Sequence, residues 1–252
     1  MLRVRRGVLL IALHGLNSAW WGAPVGLITD PAFVDLPLQE QRRLLSTYEW
    51  VEFRGQHSSH ASLRLHVAGF LHVETYCRCR VPLNRIEETP SVAQLVATDA
   101  ATQPFALAAG DFVPFAHERW SLLPGVTQQS IDERYATYLN QVIGEQPGTS
   151  LAIASPEGAE GWFVAEPRSR ETVQLSLAAL SASATVAGAH LYRRALIEYA
   201  RRGFRIGLAA FSARHAGVMN LYAKFGAVFT SPEEIWIWMS DAVASQSAMQ
   251  RR

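Results

Sequence analysis

Tyr222 is a candidate proton donor in a segment with a helical pattern. The segment His215–Val228 reads HAGVMNLYAKFGAV, which is typical of an amphipathic helix that ends at Gly226 and leads into a strand ending in IWIWM. A phenol with a pKa near 10 stays protonated at neutral pH and can donate a proton to a leaving group. The alternative for Tyr222 is an aromatic ring that fills a gap between helix and sheet.

A run of small residues precedes a second predicted helix, Ala187–Arg202. The first amides of a helix lack internal partners and carry partial positive charge, so phosphate groups can bind there. Val186 is β-branched and limits how closely a phosphate could approach, whereas the Thr185 hydroxyl could compensate. A plain strand-to-helix turn explains the same residues equally well. The helix also carries Arg193, Arg194, Arg201 and Arg202, which are interpreted mainly as a solvated face.

A loop at residues 110–126 holds charged and aromatic side chains and two prolines. Arg119 could bind a pyrophosphate bidentately, and Trp120 could stack on a sugar or a base. The alternative is a surface loop with one ion pair. Three side chains of the loop are candidate proton acceptors that spacing does not rank: Asp111, His117 and Glu118.

Composition excludes several classes of function. The net charge is +1, from 23 basic and 22 acidic residues, so no overall field favours nucleic acid or an anionic membrane. Apolar residues make up 49% of the chain and charged residues 18%, as in soluble globular proteins. Cys77 and Cys79 are expected to be reduced thiols in a cytoplasmic protein, because two cysteines alone do not form a zinc site. Gly7–Leu13 is predicted to be a buried strand rather than a signal peptide, and no segment is long enough to span a bilayer.

The same three elements occur in the same order in both halves of the chain. The first half has a strand, a helix and a strand predicted at Glu49–Phe53, Ser58–Gly69 and Leu71–Val81. The second half has them at Arg205–Phe211, Arg214–Gly226 and Ile235–Met239.

The two segments superimpose without a gap. Ala61 falls on Val218, and each helix ends on a glycine, Gly69 or Gly226. The pattern favours a diverged internal duplication over chance similarity. The residue that matches Tyr222 in the first half is Leu65.

Helices and strands alternate between the repeats as well. Helices are predicted at Val92–Leu107 and Ser130–Ile143, and strands at Ser150–Ser155, Gly161–Glu166 and Thr172–Ser181.

This order of elements resembles the GNAT superfamily of acyl-CoA N-acyltransferases. The similarity is greater to two-domain enzymes that acetylate a dTDP-linked 4-amino-4,6-dideoxygalactose, also called TDP-fucosamine. It is carried by LNSAWWG at Leu16–Gly22, FAHERW at Phe115–Trp120 and SASATVAGAHLY at Ser181–Tyr192. The resemblance implies an α/β (α+β) fold with a GNAT-like mixed central sheet flanked by helices. Residues 1–88 would form a smaller, truncated GNAT-like domain and residues 89–252 a complete one.

The resemblance implies an acyl-CoA-dependent N-acetyltransferase with Tyr222 as the general acid that protonates the leaving thiolate. The amide of Ser181 or Ala182 would stabilise the oxyanion. The sequence departs from the family pattern [Q/R]-x-x-G-x-[G/A] at Ser183 and Val186, although Gly188 fits its last position. The residues implied to bind the acyl-CoA are Ser181, Ala182, Ser183, Thr185, Val186, Ala187, Gly188, Ala189 and His215, the last in place of an asparagine. The residues implied to contact the acceptor are Phe115, Glu118 (in place of a serine), Arg119 and Trp120.

The expected co-substrate is acetyl-CoA or another short acyl-CoA, with no metal. The expected acceptor is a small-molecule amine, such as an amino sugar or a nucleotide-linked amino sugar. Neither nucleic acid nor a membrane is an expected partner, and a homodimer is left open. Two alternatives remain at this point: a GNAT-fold binding or scaffold module without catalysis, and an acyltransferase that uses an acyl carrier protein as donor.

Overall fold

The computed structural model describes residues 10–115 and 118–250. In chain order the strands are β1 (Ile11–Leu13), β2 (Val25–Ile28), β3 (Trp50–Gln56), β4 (Leu71–Pro82), β5 (Val96–Asp99), β6 (Leu151–Ser155), β7 (Gly158–Pro167), β8 (Thr172–Leu180), β9 (Ile206–Ser212) and β10 (Val228–Met239). The helices are α1 (Gly15–Trp21), α2 (Leu38–Leu45), α3 (Ser59–Val67), α4 (Pro90–Ala93), α5 (Gln128–Glu145), α6 (Gly188–Arg201), α7 (Ala216–Lys224) and α8 (Asp241–Gln250). The mixed α/β class predicted from the sequence is confirmed.

The chain packs into two compact units, each discontinuous in sequence. Unit 1 comprises residues 1–76, 119–126 and 231–252, and unit 2 comprises residues 77–118 and 127–230. The predicted division into residues 1–88 and 89–252 follows the sequence repeats and stays a prediction.

Unit 2 contains a mixed sheet. Strands β5, β6, β7 and β8 pair antiparallel in that order, and β9 pairs parallel with β8. The part of β4 that belongs to unit 2 lies beside β9. Helix α6 packs one face on the core of this unit through Leu191, Ala195 and Tyr199, all at most 1% exposed. The Tyr199 hydroxyl donates hydrogen bonds to the carbonyl oxygens of Thr149 and Phe163, which fixes the helix against the sheet.

Unit 1 is built around a smaller mixed sheet. Strand β1 pairs antiparallel with β2, β2 pairs parallel with β3, and β3 pairs antiparallel with β10. The β3–β10 register runs from Trp50 opposite Met239 to Gln56 opposite Glu233. Its core includes Phe33, Leu45, Leu65 and Phe70, each at most 1% exposed.

The internal repeat predicted from the sequence is confirmed at the level of its elements. Strands β3 and β9 both have seven residues, helices α3 and α7 both have nine, and strands β4 and β10 both have twelve. Gly69 and Gly226 follow the two helices with φ of 91° and 72°, a conformation that favours glycine. The residue after each glycine donates its amide hydrogen to the carbonyl oxygen of a matched residue: Phe70 to Leu65 in the first repeat, and Ala227 to Tyr222 in the second.

One predicted helix is wrong. Of the predicted range Val92–Leu107, only Val92 and Ala93 are helical, as the end of the short helix Pro90–Ala93. Val96–Asp99 forms strand β5 on the edge of the unit 2 sheet. Pairing with β6 satisfies its backbone groups and overrides the helical spacing of its apolar side chains. The predicted helix Ser130–Ile143 lies within α5 and is confirmed.

The two cysteines are free thiols, as expected. Cys79 is buried in the core of unit 2, where burial raises the pKa of its thiol to about 12. The predicted N-terminal strand is seen at Ile11–Leu13, whereas residues 7–9 lie outside the described residues. Within the described part of the chain, none of the helices has the length and apolar character needed to cross a membrane.

Gly161 on β7 allows this strand to pass close to β8. Its φ is 155°, and a Cβ there would lie 2.4 Å from the carbonyl oxygen of Ala179. We expect Gly161→Ala to lower the free energy of unfolding by ~2–4 kcal/mol, since backbone strain and a steric clash add. The control is Gly158→Ala on the same strand, with φ of 139° but no neighbour within 4 Å. Chemical denaturation measures both variants, and equal losses would show that the clash is relieved without cost.

Candidate functional site

Strands β8 and β9 separate partway along their length in unit 2. Their parallel pairing runs from Thr172 opposite Ile206 to Leu175 opposite Ala209, although both strands continue further. The register between β7 and β8 shifts at this point and leaves Ser176 as the extra residue of a bulge. A bulge bends its strand and increases the local twist, which explains why β8 turns away from β9. The backbone edge of β8 beyond Leu175 is therefore not paired with β9.

The far end of this edge is closed by another segment. The Val113 amide donates to the Leu180 carbonyl, and the Ala182 amide donates to the Asp111 carbonyl, both at 2.9 Å. Backbone groups alternate sides along a strand, so Ala178 points its N–H and C=O to the same edge of β8 as Leu180 and Ala182 do. The open stretch of β8 thus lies between Leu175 and Leu180, with Ala178 at its middle. Sequence reasoning had not singled out Ala178.

The predicted oxyanion donors at the end of β8 are engaged within the protein. The Ser181 amide donates to the Glu160 carbonyl at 3.0 Å, and the Ala182 amide is bound to Asp111 as described above. The Asp111 side chain, a candidate proton acceptor, accepts a hydrogen bond from the Ala108 amide at 2.7 Å. His117, another candidate, lies outside the described residues, and Glu118 is half-buried.

A carboxylate of the protein occupies the loop that was predicted to bind the donor phosphates. Glu160 accepts hydrogen bonds from the amides of Thr185 and Val186 at 2.7 and 3.0 Å. It also accepts from the hydroxyls of Thr185 and Ser155, both at 2.6 Å. Four donors therefore converge on one carboxylate, which is 1% exposed.

Burial by itself would raise the pKa of Glu160. The hydroxyls of Ser155 and Thr185 and the amides of Val186 and Thr185 outweigh this effect and lower the pKa to about 2. The carboxylate is therefore ionised at neutral pH. No motif marked Glu160, but one signal was present: an acidic residue between Ala159 and Gly161, directly before the apolar run Trp162–Ala165.

The remaining predicted donor-site residues follow this loop into α6. Ala187 is the N-cap residue and Gly188 is the first residue of the helix. The Ser183 amide donates to the Ser181 hydroxyl at 3.2 Å. Val186 is half-buried against the core of unit 2, whereas Ala189 is exposed.

The arginines of α6 have partners in unit 2. Arg194 and Arg201 both bind the Glu88 carboxylate at 3.1 Å. Arg202 binds Asp99 at 2.9 Å, and Arg193 donates to the carbonyl oxygen of Glu87 at 2.8 Å. These contacts hold the segment before β5 against the helix.

Tyr222 lies between α6 and the end of β9 that does not pair with β8. Its ring stacks on Phe211, with centroids 5.4 Å apart, and meets the edge of Tyr192 of α6 at 5.8 Å. The residue is 3% exposed, yet its hydroxyl has no hydrogen-bond partner among the described residues. Burial raises the pKa of Tyr222 well above its usual value, so the phenol stays protonated at neutral pH. His215 occupies the N-cap position of the same helix.

Arg119, predicted to contact an acceptor, is buried in a charged cluster of unit 1. Its guanidinium donates to Glu52 at 3.1 Å, to Glu74 at 3.3 Å and to the Tyr76 hydroxyl at 2.6 Å. Burial alone would raise the pKa of Glu52, but the charges of Arg119 and Arg54 lower it to about 2.

The other predicted acceptor residues differ in their surroundings. Trp120 is buried in unit 1, with its ring 4.1 Å from the Arg119 guanidinium carbon. Phe115 belongs to unit 2, where its ring packs on Tyr135 at 4.1 Å and on Phe112 at 5.5 Å. A role for any of these residues in acceptor binding stays a prediction.

We expect the stability that Glu160 contributes to depend on pH. Because its folded pKa is about 2 and its ordinary value is 4.5, the contribution is fully present above pH ~4.5 and is lost as the pH falls towards 2. Glu160→Gln should therefore be less stable than the wild type at pH 7, with a difference that narrows as the pH falls. Denaturant unfolding between pH 3 and 7 measures this, and a pH-independent difference would contradict it.

The Arg119 cluster predicts a large structural effect. Arg119→Met should lower the free energy of unfolding by about 3–5 kcal/mol, because two buried carboxylates lose their shared cation. The matched control is Arg43→Met, whose exposed ion pair with Glu40 at 3.9 Å should contribute less than about 1 kcal/mol. Urea denaturation compares the two, and similar small losses would show that the buried carboxylates find other compensation.

Neither a protein-family model nor a curated protein matches this chain. Its fold is similar to solved structures. A GCN5-related N-acetyltransferase from Sphaerobacter thermophilus aligns with a TM-score of 0.53 and 15% identity, covering 86% of this chain and 72% of that one. A GCN5-related N-acetyltransferase from Kribbella flavida gives 0.51 and 11%, covering 88% and 84%.

A tandem GNAT protein from the clavulanic acid biosynthesis pathway aligns with a TM-score of 0.52 and 11% identity, covering 86% of this chain and 76% of that one. At such identities the likeness is one of fold. The chain has the fold of the GCN5-related N-acetyltransferases.

Proposed function

We propose that this protein is an N-acyltransferase that moves an acetyl or other short acyl group from a CoA-type thioester to the amino group of a small acceptor. The observation that carries the proposal is the opening between β8 and β9 beyond Leu175 and Ala209, with the Tyr222 ring stacked on Phe211 in the part of β9 that does not pair with β8. The open edge of β8 could bind the amide groups of a pantetheine arm as an added strand would.

The proposed reaction is direct attack. The amine nitrogen adds to the thioester carbonyl carbon, and the Ala178 amide on the open edge is the proposed donor to the oxyanion. The C–S bond then breaks, and Tyr222 donates its proton to the leaving thiolate. The amine gives up its own proton to solvent or to a nearby base such as Asp111. The support for this role is that the Tyr222 side chain is 3% exposed, whereas its hydroxyl has no hydrogen-bond partner among the described residues and is not one of the fully buried unpaired polar atoms, so the oxygen stays accessible to a ligand.

The proposed acceptor is an amino sugar or a nucleotide-linked amino sugar. The support is the sequence similarity of FAHERW at Phe115–Trp120 to the acceptor segment of such enzymes. In the structure Arg119 has carboxylate partners, so acceptor binding through its guanidinium would have to share these contacts.

A second candidate is a GNAT-fold module that binds ligands without catalysis. The observation that favours it is the Glu160 carboxylate in the predicted phosphate-binding loop. A thermal-shift titration with acetyl-CoA shows whether the protein binds this ligand, since a ligand that binds only the folded state raises the apparent stability. Binding without thiol release for any amine in a broad panel would favour the module.

Tyr222→Phe should lower kcat by about 10²–10⁴-fold, because the leaving thiolate loses its proton donor while the ring packing is kept. Thiol release with acetyl-CoA and a panel of amino sugars measures this, and calorimetry should show donor affinity changed less than about threefold. The matched control is Tyr192→Phe, which removes the other phenol of the same edge-to-face pair. A larger loss for Tyr192→Phe than for Tyr222→Phe would reassign the proton donor.

A further inference from the structure

We propose that Glu160 replaces the donor diphosphate at the start of α6, so that the acyl donor is recognised through its pantetheine thioester arm and not through its nucleotide. This inference rests on the proposed function, and it narrows the donor to an acyl-pantetheine thioester. The source could be free CoA or a phosphopantetheinylated carrier protein, which share this arm.

Several groups of the loop that could bind an anion are already engaged within the protein. The amides of Thr185 and Val186 and the Thr185 hydroxyl donate to Glu160, and the Ser183 amide donates to the Ser181 hydroxyl. Each hydrogen bond to a carboxylate is stronger than one between neutral groups. An incoming diphosphate would have to break three of these bonds to reach the same donors.

Electrostatic repulsion also disfavours a diphosphate at this loop. If a diphosphate displaced Glu160, the carboxylate would remain close by on β7, because the strand is held between β6 and β8. Two negative charges so close together repel each other strongly in a buried setting. The loop therefore combines occupied amides at Thr185 and Val186 with a fixed negative charge beside them.

The arginines of α6 and its C-cap already have partners in unit 2. Arg193 donates to the carbonyl oxygen of Glu87 and lies over the Phe225 ring. Arg194 and Arg201 share Glu88, and Arg202 binds Asp99, so these three guanidinium groups are balanced by carboxylates. By contrast, the open backbone edge of β8 between Leu175 and Leu180 suits the amide groups of a pantetheine arm.

The test compares binding of CoA and of pantetheine by isothermal titration calorimetry, which needs no turnover. Wild-type protein should bind the two with affinities within about threefold of each other. Glu160→Ala should bind CoA at least ~10-fold more tightly than the wild type, with pantetheine unchanged, because one or two charge-assisted hydrogen bonds to phosphate become available. The matched control is Glu157→Ala, which removes an exposed charge of the same hairpin and should leave both affinities unchanged.

Two results would overturn the inference. One is wild-type protein that binds CoA far more tightly than pantetheine, with no gain in Glu160→Ala. The other is no binding of pantetheine or CoA by either protein. If Glu160→Ala does not fold, Glu160→Gln removes the charge while keeping the shape, and it should raise CoA affinity in the same direction.

Turnover is measured separately with acetyl-CoA, acetyl-pantetheine and an acetylated carrier protein. Binding as expected without turnover of any donor would count against the proposed acyltransferase and not against the role of Glu160. Turnover of the carrier-bound acetyl group alone assigns the source of the pantetheine arm to a carrier protein, and turnover of acetyl-CoA assigns it to CoA.

Discussion

The hydrogen bonds from one loop to the Glu160 carboxylate determine what the start of α6 can do. A helix that begins after small residues offers amides and partial positive charge, which normally attract an external anion. Here β7 supplies the anion from within the protein, and two hydroxyls and two amides satisfy it. These contacts tie the residues just before the N-cap Ala187 to β7. Any ligand of this site must be recognised by groups that Glu160 does not engage.

The repeat explains why both compact units are discontinuous in sequence. Strand β10 closes the second repeat along the chain, but residues 233–239 of this strand pair with β3 of the first repeat within unit 1. Strand β4 closes the first repeat, and its later residues lie beside β9 within unit 2. Unit 1 therefore needs residues from both ends of the chain. Such pairing is non-local, which raises the loop-closure entropy cost of folding.

The sequence predicted the elements whose signals are local. The strand, helix and strand of each repeat could be predicted because each repeat has its own apolar pattern and a glycine that ends its helix. Contacts between distant residues were not predicted. The ion pairs of Arg119 with Glu52 and Glu74 join residues 67 and 45 positions apart, so no local pattern indicates them, and its predicted contact with an acceptor stays a prediction. The strand Val96–Asp99 was predicted as helix, since only pairing with β6 makes it a strand.

The two repeats differ at the position of Tyr222, the proposed proton donor. Leu65 is 1% exposed and belongs to the apolar core of unit 1, where a methyl-rich side chain needs no polar partner. The matched Tyr222 is almost as buried, yet it brings a hydroxyl that has no hydrogen-bond partner among the described residues. This hydroxyl is not one of the fully buried unpaired polar atoms, so its oxygen remains accessible while the ring is packed. The leucine of the first repeat fills the matched position and presents no polar atom. The accessible hydroxyl is therefore what the second repeat adds, and it is the group that a bound ligand or a reacting atom would meet.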